Sequence, residues 1–278
     1  MNPFEANPAL IQRGSPEGAD TPLVLFHDGG GTIASYYCLG NFGRTVYGIH
    51  DPRFLVNLPW KGGLSEMARV YAELIRTIIS PGENVILGGW SLGGLLALEV
   101  AHVLESESDS IQNSIGVVGI VMLDSPYTGP GPVTDSNFNI LSNRPFLKST
   151  CPPELALLIT RSMRRAGQMV ERWSVPSWTK KGVRPPPVIL LRCMDMVPVS
   201  KKSSQEPLNS RENDIYSVDR YRARNLLGWE YLDQPDFIRA VLNIPGHHFN
   251  VMAEENVQTT TENLILACKM LSLGMYGR

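Results

Sequence analysis

Residues 85–101, VILGGWSLGGLLALEVA, constrain this chain more than any other stretch. A strand-like apolar run stops at Gly88 and Gly89, a Trp and a Ser follow, and Gly93 and Gly94 open a helical segment rich in Leu and Ala. Passing from strand to helix within one residue forces Ser91 toward positive φ, a strained state for a residue with a side chain. Gly89 and Gly93 flank the corner where the chain must approach itself, and Gly94 lets the helix approach the sheet. Such a corner pushes one hydroxyl out at the sheet edge. The helix starting at Leu92 points its positive end at the same spot. Gly89-Trp90-Ser91-Leu92-Gly93 fits the G-x-S-x-G nucleophile elbow, and the flanking strand and helix give that short pattern its specificity. The bland alternative is a tight turn in an α/β protein without chemistry.

The rest of the chain supplies a matching frame. LVLF (23–26), TVYGI (45–49), NVILGG (84–89), IGVVGIVMLD (115–124), PPVILLRC (186–193) and FIRAVLNIPG (237–246) read as strands. TIASYYCLGNF (32–42), SEMARVYAELIRTIIS with Ser65 as N-cap (65–80), LGGLLALEVAHVLES (92–106) and TENLILACKMLSLG (261–274) read as helices. This alternation predicts an α/β fold, a mostly parallel central sheet with helices on both faces. The first 20 residues read as a polar lead-in. Two segments break the rhythm. Residues 128–186 hold two helix-like pieces, PELALLITRSM and RRAGQMVERW, and are expected to form a helical lid insertion. Residues 199–236 are polar and irregular, with one helical piece, SVDRYRARNLLGW. A length of 278 residues suits a single domain spanning 1–278 with these insertions.

Composition narrows the function classes. Net charge is −2 with basic residues dispersed, which predicts neither nucleic-acid nor membrane partners. No run approaches the about 18 apolar residues that a bilayer span needs. The first residues lack a basic region followed by an apolar one, so no secretory signal is expected. Cys38, Cys151, Cys193 and Cys268 lie far apart without a CxxC pair, which predicts reduced thiols, a cytoplasmic location and no metal site.

A serine hydroxyl needs a base, and the base needs an orienting carboxylate. His27 and His50 precede the elbow, and His102 lies on its helix. His247 and His248, in IPGHHFNVM after the last strand, occupy the place of a base loop, and either fits. Asp124 and Asp195 each end a strand at the sheet edge where such sites are built, and spacing does not choose between them. For an oxyanion, Leu92 N–H and one N–H of the FHDGGGT loop, that of Asp28 or Gly29, are the candidate donors. That loop matches neither phosphate-binding pattern.

LVLFHDGGGTIASYYCLG, RTVYGIHDPRF, GGWSLGGLLALEVA, GIVMLDSP and GHHFNVM together resemble the type I thioesterase domains that end fungal polyketide synthases and nonribosomal peptide synthetases. The resemblance implies the α/β-hydrolase fold and the triad Ser91, Asp124 and His248. It also implies an acyl-serine enzyme of secondary metabolism. Such an enzyme releases a polyketide or peptidyl chain from the phosphopantetheine of an acyl or peptidyl carrier protein, by hydrolysis, cyclisation or transfer. No bound cofactor is implied. The family's loop often reads P-D-G, whereas His27 stands here, and Leu92 replaces the usual small residue after the serine. The lid segments carry no part of the resemblance, and the rest of the chain adds no carrier module. The rivals are a carboxylesterase or lipase-like hydrolase of free esters, an acyltransferase to an external alcohol or amine, and a non-catalytic binding scaffold.

Overall fold

Strand residues in this chain are apolar on both sides, as a sheet covered on two faces requires. In the computed structural model, residues 6–15, 20–106, 114–129, 131, 139–143, 147, 150–178, 184–199, 214–232 and 235–276 are described. The elements are β1 (Ala9–Gln12), β2 (Leu23–Phe26), β3 (Val46–Ile49), α1 (Gly63–Arg76), β4 (Asn84–Trp90), α2 (Leu92–Ser106), β5 (Gly116–Leu123), β6 (Asn139–Leu141), α3 (Pro153–Val170), β7 (Val188–Cys193), β8 (Asp214–Tyr216), β9 (Ile238–Ile244) and α4 (Val257–Leu273). One sheet runs β1-β3-β2-β4-β5-β7-β9, parallel throughout except for β1 against β3. Pleating sends Val24 and Phe26 to the face covered by α1 and α2, and Leu23 and Leu25 to the face covered by α4. The expected mostly parallel sheet with helices on both faces is thus present.

Chain order reverses between β2 and β4, because β3 lies on one side of β2 and β4 on the other. In open parallel sheets the crevice at such a switch point is where ligands bind. Tyr36 closes its base. The Tyr36 hydroxyl donates to the Phe26 carbonyl at 2.6 Å and accepts from Trp90 N–H at 2.8 Å, which ties the ends of β2 and β4 together.

Five local expectations change. The lead-in contains β1, which pairs antiparallel with β3 and seals that edge. Residues 32–42 form only a 3-10 turn at Ala34–Cys38, since Tyr36 is held to the sheet and Gly40 N–H donates to Thr261 Oγ1 at 3.1 Å. Helix α1 starts at Gly63, not after Ser65. The Glu66 carboxylate caps it by accepting from Gly62 N–H at 2.7 Å, while Ser65 Oγ donates to Glu99 Oε1 at 3.3 Å. The two helical pieces of the first insertion are one 18-residue helix, α3, because Leu158, Ser162, Ala166 and Met169 continue a single stripe past the expected break. The piece at 217–229 is not a helix. It is a 3-10 turn at Ser217–Asp219 followed by turns, and Gly228 at φ 92° ends it in the left-handed region. The sequence pattern also missed β6 and β8, whose parallel pairing joins the two insertions.

Glu105, in the last turn of α2, is half-buried, and its Oε2 has no hydrogen-bond partner among the described residues. Burial pushes its pKa from 4.5 up to about 7. The folded carboxyl therefore holds its proton more tightly than the unfolded one. Its contribution to stability is full below pH 4.5 and is lost as pH rises through about 7. The negative end of the α2 dipole disfavours the ionised form further. Glu105→Gln is expected to raise the urea midpoint above this window and to flatten the pH dependence within it. An unchanged pH profile would refute that origin.

Candidate active site

Each side chain at the crevice is delivered by the end of a strand. Ser91 follows β4 at φ 57°, and its N–H donates to the Leu123 carbonyl at 2.9 Å. A Cβ on Gly93 would collide with the Phe26 carbonyl oxygen, so only glycine lets α2 start this close to β2. One strand over, Asp124 follows β5 at φ 45°, and its N–H donates to the Leu191 carbonyl at 2.7 Å. Two successive strands thus break off in the left-handed region and present their side chains at the same level. Beyond β9, Gly246 at φ 82° turns the chain back, and the loop carries His248 inward until only 1% of it is exposed.

The three side chains form a line. His248 Nδ1 lies 2.8 Å from Asp124 Oδ2, and His248 Nε2 lies 3.0 Å from Ser91 Oγ. A carboxylate only accepts, so Nδ1 carries the proton. In the neutral ring, Nε2 then accepts from the Ser91 hydroxyl. Trp90 and Phe249 flank the imidazole, with ring centroids 5.6 and 4.9 Å away. The other candidates stand apart. Asp195 is exposed, and its N–H donates to the Gly246 carbonyl at 2.9 Å, which holds the base loop from outside. His247 Nδ1 accepts from Phe249 N–H at 3.2 Å, a bond within its own turn. His102 rests edge-on against Trp178, with centroids 5.0 Å apart.

Asp124 is saturated with donors. Its Oδ1 accepts from Cys193 N–H at 2.9 Å and from Arg222 Nη1 at 2.6 Å, and its Oδ2 from Arg222 Nη2 and His248 Nδ1, each at 2.8 Å. Burial by itself raises this carboxyl's pKa. The Arg222 hydrogen bonds, the His248 bond and the Arg222 charge outweigh it and hold the pKa well below the ordinary range. Arg222 lies in the second insertion, is 4% exposed and also donates from Nε to Asp219 Oδ1 at 2.9 Å. Sequence reasoning missed Arg222, Asp219 and Tyr36. The run DRYRAR looks like a solvated charged face, and nothing in its spacing points inward.

The glycine-rich loop after β2 borders the same crevice. His27 Nδ1 donates to the Asp28 carbonyl at 2.5 Å, and Nε2 accepts from the Tyr71 hydroxyl at 2.6 Å, so His27 clamps the loop to α1. Asp28 Oδ1 accepts from Gly30 N–H at 2.9 Å, and the dense protein around this carboxyl raises its pKa although part of its surface meets solvent. Among the described residues the N–H groups of Gly29 and Leu92 have no protein acceptor. Helix α3 roofs the loop, and a Cβ on Gly31 would lie 2.7 Å from Ser162 Oγ. Beside that contact, between α3 and residues 51–60, runs a cleft of about 380 Å³ including its open mouth, lined by Phe54, Trp60, Leu92, Leu158, Arg165 and Met169, among others. Leu92 is among the residues that line this cleft. Trp173 Nε1 donates to Glu99 Oε1 at 2.5 Å and fastens the chain after α3 to α2.

Among the described residues no three His, Cys, Asp or Glu side chains are grouped to hold a metal ion, and no helix is long and apolar enough to cross a membrane. The four cysteines are unpaired, with Cys193 and Cys268 buried.

Residues 21–133 match the family model described as "Thioesterase domain". Thioesterase frbD of Dothideomycetidae sp. (strain 11243) is 38% identical over 274 residues, covering 98% of this chain and 97% of the relative. Thioesterase AMT4 of Alternaria alternata is 36% identical, covering 95% and 92%. Among solved structures, the NocB thioesterase domain from the nocardicin cluster superposes with a TM-score of 0.62 at 22% identity, covering 91% of this chain and 96% of that one. At that identity the likeness speaks for the shared α/β-hydrolase fold.

Proposed function

The chain belongs to the thioesterase family, and from that premise we propose that it is a serine thioesterase releasing an acyl or peptidyl chain from the phosphopantetheine arm of a carrier protein. The observation that carries the reading is the line from Asp124 through His248 to Ser91 at the switch-point crevice. Ser91 Oγ attacks the thioester carbonyl while His248 Nε2 takes its proton. Leu92 N–H and Gly29 or Asp28 N–H hold the developing oxyanion. Asp124 accepts from Nδ1–H and stabilises the imidazolium. The C–S bond breaks, the leaving sulfur takes the proton from His248, and the acyl group stays on Ser91. Water, or a hydroxyl, amine or enol carbon, then attacks the ester with His248 again as base, restoring Ser91.

Helix α3 acts in this reading as the lid. It keeps the acyl-serine dry enough for attack by a nucleophile of the acyl chain itself to compete with water. Fungal relatives named thioesterases support a thioester substrate, and the resemblance of FHDGGGT, GGWSLGG and GHHF to synthase-terminal domains supports secondary metabolism with a carrier protein as partner.

The test compares an acyl-pantetheine thioester with an oxygen ester of the same acid. The thioester is expected to give the higher kcat/KM. A clear preference for the oxygen ester would make the chain an esterase built on the same three residues.

A further inference from the structure

The second insertion reaches the reaction centre through an arginine that touches no substrate. We infer that Arg222 is a positioning residue that locks the Asp124 carboxylate toward His248, and that Asp219 sets the charge felt by the imidazole. This rests on the proposed roles of Ser91, Asp124 and His248.

The five N–H groups of Arg222 are all directed inward. Nε donates to Asp219 Oδ1 at 2.9 Å. Nη1 serves Asp124 Oδ1 at 2.6 Å and the Cys193 carbonyl at 2.9 Å, and Nη2 serves Asp124 Oδ2 at 2.8 Å and the Val218 carbonyl at 3.5 Å. A planar fork gripping both carboxylate oxygens allows Asp124 one orientation only. Asp219 is anchored in turn, since its Oδ2 accepts from Val197 N–H at 2.7 Å in the loop after β7. Tyr216, at the end of β8, meets Phe249 edge-on with centroids 6.2 Å apart, so the same segment also touches the neighbour of His248.

The charge arrangement has a consequence for proton transfer. Arg222 alone would cancel Asp124 and leave an imidazolium at His248 without electrostatic support. Asp219 restores one net negative charge to the buried cluster. The other titratable groups that face His248 are Asp28 on the loop after β2 and His247 on its own loop. Cys193 borders Asp124, and Asp195 faces His247. None of these belongs to the ion-pair chain.

Removing the cation and removing the second anion must therefore move His248 in opposite directions. The probe is a fluorophosphonate, with the rate of Ser91 labelling followed by intact mass across the range where imidazole titrates. Phosphonylation of Ser91, with fluoride leaving, needs the free Nε2 lone pair of His248, so the acidic limb of the rate reports on the imidazole. Asp219→Asn is expected to shift that limb to lower pH and Arg222→Met to higher pH, each by at least several tenths of a pH unit. Arg222→Lys keeps the charge and loses the fork. It should leave the limb in place and slow labelling ~10–100-fold, by analogy with the loss seen when the hydrogen-bond partner that orients a metal ligand is removed. A purely structural role would slow all three variants without opposed shifts. Asp219→Asn and Arg222→Met limbs that coincide with the parent's, or that move the same way, overturn the inference. If Arg222→Met does not fold, the direction seen for Asp219→Asn decides. Failure of the parent protein to label at Ser91 would instead count against the proposed roles themselves.

Discussion

Ser91→Ala is expected to abolish acyl-enzyme formation while leaving the fold intact. In serine hydrolases, loss of the nucleophile costs about 10⁶-fold in kcat. The stability change is expected to stay near ~1 kcal/mol, because one hydrogen bond to His248 Nε2 is lost at a site that is only partly buried. Alanine also has a Cβ, so the strain at φ 57° persists in the variant. Among the described residues the two buried thiols do not offer a substitute nucleophile. The thiol of Cys193 is pushed up by burial and then by the Asp124 charge, and burial pushes that of Cys268 up to about 12, which keeps both protonated at neutral pH. Intact-mass measurement with an acyl-pantetheine thioester should show the adduct on the parent protein and none on the variant, at matched melting temperatures. An adduct forming equally fast on Ser91→Ala would remove the serine from the mechanism.

The core of the architecture could be read from local patterns. Runs such as Val85–Leu87 and Ile120–Leu123 are apolar at every position because both sheet faces are covered, and that signal survives without any knowledge of neighbours. The corner at Ser91 was legible for a related reason. Its glycines are dictated by backbone approach within a few residues, so the constraint is written locally. The choice between Asp124 and Asp195 was not local, and neither was the choice between His247 and His248. It depends on which loop folds inward, and the residues alone left both pairs open until the resemblance was considered. Arg222 was invisible for the strongest form of that reason. Its partners Asp124 and Cys193 lie far back in the chain, and its own neighbours Arg220 and Arg224 face outward. Ser65 misled because a good capping residue sits two positions inside a helix that Glu66 caps instead.

Asp124→Asn is expected to damage stability and reactivity together, and the donor count explains why. Both carboxylate oxygens face two donors each: Cys193 N–H and Arg222 Nη1 on one, Arg222 Nη2 and His248 Nδ1 on the other. Whichever way the asparagine is turned, its NH₂ meets two N–H groups and its oxygen can satisfy only the other pair. Arg222 keeps the Asp219 carboxylate on Nε but loses its two-pronged partner on Nη1 and Nη2, and breaking a buried pair from one side costs about 3–5 kcal/mol, with Asp219 holding the loss toward the lower end. The imidazole loses the acceptor that fixed its tautomer, for which the penalty in a comparable triad is about 10⁴-fold in kcat. The pH dependence separates these effects. Asp124 is held well below its unfolded value of 3.8, so it contributes stability above that pH and loses it as pH falls through the depressed folded pKa. The parent should therefore lose stability progressively below about pH 4, and Asp124→Asn should show a flatter acid limb from a lower plateau. Urea titrations across that range, beside the rate of Ser91 labelling at neutral pH, measure both consequences. A variant that kept the parent's midpoint and its labelling rate would mean that Asp124 neither anchors Arg222 nor orients His248, however close the three groups lie.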